Sequence, residues 1–440
     1  MATATPIAPS RSLQDHRVTE LGSGLRVVTE RVPSVRSAAV GLFVGTGSRF
    51  EHESEAGLSH FLEHLLFRGT ARFESAEIDQ KFDSWGAELN AGTDKESTTV
   101  YARMLDQHLP EAFDVMADMV WRPSLADLDA ERAVVLEEIA MYEDDPQDSV
   151  FDVLGSAVFG DHPLGRAIIG RAQVIRDTPA DEIRAFHARH YRPRSVVIAA
   201  AGSVDHDRVV ELAERTLDGL RAGERADTPA AAPPEPSPHV AFQVKDTEQV
   251  HVCLGGVGID RHDDRRYAAR VLDAIFGGLS SSRLFQAVRE ERGLAYSVYS
   301  FTHQYADSGQ VGIYLGTRPD NLAEAMTIVA AELDRLRRTP VTDEELVRAR
   351  ENVKARIVLA LESSSARMQR LGASLMYDLP LLDLDEITAR IDAVTVEDLS
   401  SLAEELWAPA RLSAVGIGPD EEAFRAAVAE LTPAAVLLPT

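Results

Sequence analysis

The sequence predicts an α+β protein of two duplicated domains, each a mixed, largely antiparallel sheet with helices packed on one face. Three features of its 440 residues lead there. Strand-like runs alternate with long amphipathic helical stretches, neighbouring strands are too close in sequence for a uniform crossover pattern, and the two halves repeat one another in order. A chain of this length exceeds one ordinary core and favours two of roughly 200 residues each. Hydrophobic residues at 45% and charged residues at 26% allow both cores to form without covalent staples.

Taken in order, the opening MATATPIAPSRSLQDHR has no apolar h-region and reads as a short flexible start. Residues 37–51, SAAVGLFVGTGSRFE, form a strand-like run with a glycine-bearing end, and the helical stretch GLSHFLEHLLFRGT follows at 57–70. Residues 86–105, GAELNAGTDKESTTVYARML, read as a hairpin with a polar turn at 92–95. Residues 129–143, DAERAVVLEEIAMYE, read as a helix with an apolar stripe of Val134, Val135 and Ile139. The first half closes with helix, aromatic, proline, β-rich run, glycine and aspartate in HARHYRPRSVVIAAAGSVD, residues 187–205, and then the amphipathic HDRVVELAERTLDGL.

The one compositional break is GERADTPAAAPPEPSP, an extended linker at 223–238 that divides a first domain, 1–222, from a second, 239–440. Beyond it the series repeats. VHVCLGGVGIDRHD matches the first glycine-ended strand, and DRRYAARVLDAIFGG takes the place of the following helix, without its histidines. A strand-like QVGIYLGT and a long helix over 344–363 come next. AEELWAPARLSAVGIGPD and EEAFRAAVAELT then repeat the closing pattern of the first half, which makes duplication the economical explanation.

With 45 Lys+Arg against 71 Asp+Glu, the formal charge of -26 repels phosphate backbones and anionic lipid, so no nucleic-acid partner is expected. No run of eighteen apolar residues occurs, so no membrane partner is expected either. Cys253 is the sole cysteine, which excludes an internal disulfide and a zinc site built on thiolates. A reducing, cytoplasmic setting fits these features.

The chemistry concentrates in HFLEH. On a helix His60 and His64 project from one face one turn apart and can share a tetrahedral cation, while Glu63 lies close to the same face as a base toward water. Leu58, Phe61, Leu62, Leu65, Leu66 and Phe67 surround them with apolar surface, where unpartnered imidazoles would cost several kcal/mol and a metal removes that cost. Zinc held by two histidines needs a third ligand, preferably a carboxylate. Glu131 and Glu138, seven apart, share one face of the 129–143 helix, so Glu138 can ligate with Glu131 close behind as a supporting or alternative carboxylate. Glu137 points about 100° away and is expected in solvent.

At these residues the chain resembles the pitrilysin or insulinase-type zinc metallopeptidases, above all two-domain members related to mitochondrial processing peptidase and their bacterial counterparts. HFLEHLLFRGT is similar to the family's inverted zinc motif, ERAVVLEEIAMYEDDP to its downstream glutamate segment, and HPLGRAIIG, residues 162–170, to a segment of bacterial members. The resemblance implies one Zn2+ per chain held by His60, His64 and Glu138, with Glu63 as general base and Glu131 as accessory carboxylate. It implies that residues 86–105 hold the edge strand to which an extended peptide adds, with Asn90 and Ala91 touching substrate. In SSRLFQAVREERGLAYSVYS, it assigns Arg289 and Tyr296 to orienting the peptide and stabilising the oxyanion.

The activity so implied is zinc-dependent endopeptidase action on unstructured peptides or presequence-like segments inside a dimeric chamber. The partner would be a second copy or a related subunit, with Arg289 and Tyr296 reaching the other subunit's zinc centre. The rival readings are a non-catalytic structural or partner subunit of the same family, and a metal-dependent hydrolase of another substrate class.

Overall fold

A computed structural model describes residues 16–220, 231–233 and 237–437. The expected flexible start and most of the expected linker lie outside the described residues. The first half builds a six-stranded sheet from β1 (His16–Glu20), β2 (Arg26–Arg31), β3 (Ser37–Val44), β4 (Glu88–Thr93), β5 (Thr98–Leu105) and β6 (Val196–Gly202). Its order is β1-β2-β6-β3-β5-β4, and only β2 and β6 run parallel. The second half uses β7 (His239–Val244), β8 (Val250–Gly258), β9 (Ala295–Gln304), β10 (Gly309–Thr317), β11 (Ser413–Gly418) and β12 (Val436–Leu437). The order β12-β7-β11-β8-β10-β9 repeats the first in five strands, the outermost differing because β12 comes last in the chain and runs parallel to β7, so the duplication read from the chain is a duplication of topology.

Sequence pattern explains which strands are central. Every residue of VVIAAAG in β6 and of SAVGIG in β11 is buried, as for strands covered on both faces. By contrast ELNAGT in β4 alternates exposed and half-buried positions, and β4 pairs only with β5. It is an open edge.

On one face each sheet carries helices of its own half. The other face is covered by a helix from the opposite half, which sequence periodicity alone gave no reason to expect. Helix Pro146–Phe159 places Val150, Leu154 and Ala157 against Cys253, Tyr314, Val415 and Ile417 of the second sheet. In return helix Ser364–Met376 places Met368, Leu371 and Met376 against Val28, Phe43 and Ala199 of the first. Gly372 permits this approach, since a Cβ there would lie 2.0 Å from the Phe43 ring. The fully buried Glu30 on β2 accepts from Arg367 and, at 3.3 Å, from Arg370, so a buried charge also joins the halves.

Three details differ from the sequence reading. The hairpin turn falls at 94–97 rather than 92–95, because Gly92 and Thr93 still pair with β5 and the Asp94 N–H closes the turn on the Ser97 carbonyl. The long helix stops at Ala360 rather than Ser363, because Ser363 caps the next helix by accepting from the Ala366 N–H. Val134 is 48% exposed and lies outside the stripe, whose buried members are Val135 and Ile139.

Candidate metal centre

Helix Leu58–Leu66 buries Leu58, Phe61, Leu62, Leu65 and Leu66 and turns His60, Glu63 and His64 toward β4 and helix Leu128–Asp144. Its first turn is fixed by backbone contact and by a buried acid. Gly57 has φ 103° and its backbone meets Gly170, where a Cβ would come within 2.2 Å of the Gly57 Cα. Only glycine fits at that crossing. The Glu51 carboxylate accepts from the Gly57 and Ser59 N–H groups at 2.8 and 2.7 Å, and burial pushes its pKa up to about 7. Arg166 donates to the Glu51 carbonyl, so the 162–170 segment braces the start of the motif helix.

The structure brings His60, His64 and Glu138 together. The two Nε2 atoms are 3.3 Å apart, and Glu138 oxygens lie 3.6 Å from that of His60 and 3.3 Å from that of His64. One ligand atom from each falls within 4.8 Å of the others. For tetrahedral zinc with Zn–N bonds of about 2.0–2.1 Å, ligand atoms sit roughly 3.3–3.5 Å apart, a spacing the two histidines match, while Glu138 approaches His60 with Oε1 and His64 with Oε2. The nitrogen states fit as well: burial, then the neighbouring His64, pushes His60 down to about 4, which leaves it neutral and able to ligate.

Glu131 is nearly fully buried behind this cluster. It takes His64 Nδ1 at 2.9 Å and also engages the Arg68 guanidinium, which fixes the ring with Nε2 toward the cluster. Its place is behind His64, while Glu138, half exposed, completes the cluster. His60 Nδ1 is buried without a partner, so His64 is the better oriented of the two. Glu137 is exposed.

Glu63 sits beside the cluster and accepts from the Thr93 hydroxyl at 2.5 Å. Burial raises its pKa, a direction opposed by the Thr93 hydrogen bond and by His64. Thr93 ends β4, so the edge strand and the acid are tied to each other. Asn90 is exposed on that strand and Ala91 half-buried. The Ala91 N–H donates to Asn90 Oδ1 at 2.8 Å, on a strand that pairs only with β5.

Arg289 and Tyr296 are elsewhere. Arg289 belongs to a π-helical turn, Phe285–Glu290, and Tyr296 is the second residue of β9, the edge of the second sheet. The guanidinium lies 4.6 Å from the Tyr296 ring centroid and donates to its carbonyl at 2.8 Å, while the ring is 77% exposed. Among the described residues neither makes a hydrogen bond or ion pair to the histidine cluster. Sequence reasoning missed Thr93, Arg68 and Glu51. Arg68, four residues after His64, was within reach of helical spacing; Thr93 and Glu51 needed the tertiary fold.

Two family models match the chain: Insulinase (Peptidase family M16) over residues 26–172 and Peptidase M16 inactive domain over 178–353. An uncharacterized zinc protease of Streptomyces coelicolor is 42% identical over 96% of this chain and 94% of its own. One of Bacillus subtilis is 39% identical over 88% of this chain and 94% of its own. Among solved structures, a protease from Helicobacter pylori is similar with a TM-score of 0.88 at 25% identity, covering 92% of this chain and 100% of that one. A peptidase M16 inactive domain from Pseudomonas fluorescens shares the fold with a TM-score of 0.84, covering 92% and 98%.

Proposed function

The chain belongs to the insulinase-type M16 peptidase family, and from that premise we propose that it is a zinc-dependent endopeptidase acting on unstructured peptides. The observation that carries this reading is the convergence of His60, His64 and Glu138, one ligand atom from each within 4.8 Å of the others, with Glu63 alongside. His60, His64 and Glu138 would hold one Zn2+, which when bound polarises a carbonyl and acidifies water to a pKa of about 7.

The chain's own residues do the rest. Glu63, held by Thr93, takes the proton from the attacking water and delivers it to the leaving amine. Glu131 and Arg68 keep His64 in one tautomer. An extended peptide adds to β4, taking over the Ala91 N–H from Asn90 Oδ1. Tyr296 donates to the oxyanion and Arg289, which packs on its ring, supports it, both supplied by the second subunit of a dimer as the family resemblance implies. The partner is a second copy or a related subunit, and the setting is cytoplasmic. No helix of the described residues is long and apolar enough to cross a membrane.

The test is digestion of a mixture of unfolded peptides by the zinc-loaded protein and by Glu63→Gln. Cleavage by the first, and at least about a hundredfold less by the second at equal zinc content, is the expected result. Equal rates of cleavage would remove Glu63 from the reaction, and no cleavage by either would leave the chain a non-catalytic family relative.

A further inference from the structure

Because both sheets share one order, helices Arg266–Phe276 and Asp343–Ala360 stand in the second half where Leu58–Leu66 and Leu128–Asp144 stand in the first. Two side-chain pairs set the register. Thr93 on edge strand β4 donates to Glu63 at 2.5 Å, and Ser300 on edge strand β9 donates to Asp273 at 2.5 Å. Arg68 engages Glu131, and Arg283 engages Glu345 with bonds of 2.7 and 2.9 Å.

Counting from these pairs gives the counterparts of the ligands. Arg270 precedes Asp273 by three residues, as His60 precedes Glu63; Ala274 follows it by one, as His64 does. Asn352 follows Glu345 by seven, as Glu138 follows Glu131. An arginine, an alanine and an amide do not hold zinc, yet the scaffold around them has not collapsed. A cavity of about 340 Å³ remains between the two helices, lined by Arg270, Asp273, Asn352, Val353 and Arg356.

What lines it is unmatched. Asn352 Oδ1 is buried without a hydrogen-bond partner. Arg270 and Arg356, both exposed on facing helices, make no direct hydrogen bond or close ion pair with any described residue and reach the Asp273 carboxylate only through space, in a chain with a net charge of -26. Burial raises the Asp273 carboxyl to about 6, against the opposing pull of Ser300, Arg270 and Arg356. Arg270, Ile357 and Ala360 also line an adjoining trench of about 300 Å³ with an apolar side of Leu361, Leu379 and Leu382.

Two guanidiniums without a direct hydrogen-bond partner, a lone acceptor and an apolar trench match one ligand class. We propose that this remodelled counterpart of the metal centre binds the free carboxyl end of a peptide. The carboxylate lies between Arg270 and Arg356, the final N–H meets Asn352 Oδ1, and an apolar side chain enters the trench. A free apolar α-amino acid carries the same chemistry, with its ammonium in place of the amide. The proposal rests on the preceding reading only in taking peptides as the ligand.

The experiment uses the full-length, zinc-loaded Glu63→Gln chain and calorimetric titration with an N-acetylated peptide ending in leucine, with its C-terminal amide, and with free leucine. The acid should bind about tenfold or more tighter than the amide. Arg270→Gln/Arg356→Gln in the same background should abolish that preference with zinc content unchanged, and Asn352→Asp should weaken the acid selectively. Free leucine displacing the peptide would assign the site to amino acids as well and support it. Equal binding of acid and amide, no binding of the acid, or a preference surviving the double substitution overturns the proposal. The readout is binding to an inactive variant, so a wild-type chain that cleaves nothing would sink the peptidase reading and leave this result standing.

Discussion

Glu131 illustrates how much one buried side chain can control. It holds His64 Nδ1 and the Arg68 guanidinium at once, so Glu131→Gln keeps the shape but loses the charge that fixes the imidazole tautomer. Zinc affinity, measured by competition with a chelator, should fall about 10–100-fold with the fold intact. Its counterpart in the second half, the Glu345–Arg283 pair, touches no ligand, and Glu345→Gln should leave zinc affinity unchanged.

Asp273 gives a residue-scale pH effect with a definite sign. Its folded pKa, about 6, lies above the ordinary 3.8 because the charged form is buried, and Ser300 offsets only part of that. Folding therefore favours the protonated acid: its contribution is fully present below about pH 4 and is lost as pH rises through 6. Asp273→Asn should flatten that part of the stability profile and gain on the order of 2 kcal/mol at pH 7, read from denaturant melts. An unchanged slope between pH 4 and 6 would show that the carboxyl is solvated.

At the scale of elements, the sequence revealed the motif helix, the glutamate helix and the repeated strands because each obeys a single period. Residues 60, 63 and 64 on one helix and 131 and 138 on another could be placed on faces without any knowledge of the fold. Thr93 could not, since its pairing with Glu63 depends on β4 lying beside the motif helix. The exchanged helices were also illegible: VFDVLGSAVF and ARMQRLGASLM show an apolar face, but nothing local says that it belongs to the opposite half's sheet. Met368→Ala should cost about 2–5 kcal/mol in thermal or denaturant unfolding, as a large side chain removed from a sealed interface. For β4, Ala91→Pro removes the N–H that donates to Asn90 Oδ1, so KM for extended peptides should rise with zinc content unaltered.

Across the whole molecule, duplication supplies two similar scaffolds with different contents: one converges two imidazoles and a carboxylate, the other presents Arg270, Asp273 and Asn352. The exchanged helices and the buried Glu30 contacts make the halves interdependent, so neither is expected to fold alone as it does here. If Tyr296 serves the zinc centre of a second subunit, mixed dimers of Glu63→Gln and Tyr296→Phe chains should recover part of the activity that each lacks alone. No recovery in verified mixed dimers would place the donor within one chain or remove it from the reaction.

The most direct measurement is anomalous diffraction at the zinc edge from crystals grown with zinc. The account expects one strong peak per chain at about 2.0–2.2 Å from His60 Nε2, His64 Nε2 and a Glu138 oxygen, absent in His64→Ala. A site without density there, with Glu138 directed into solvent, would contradict it.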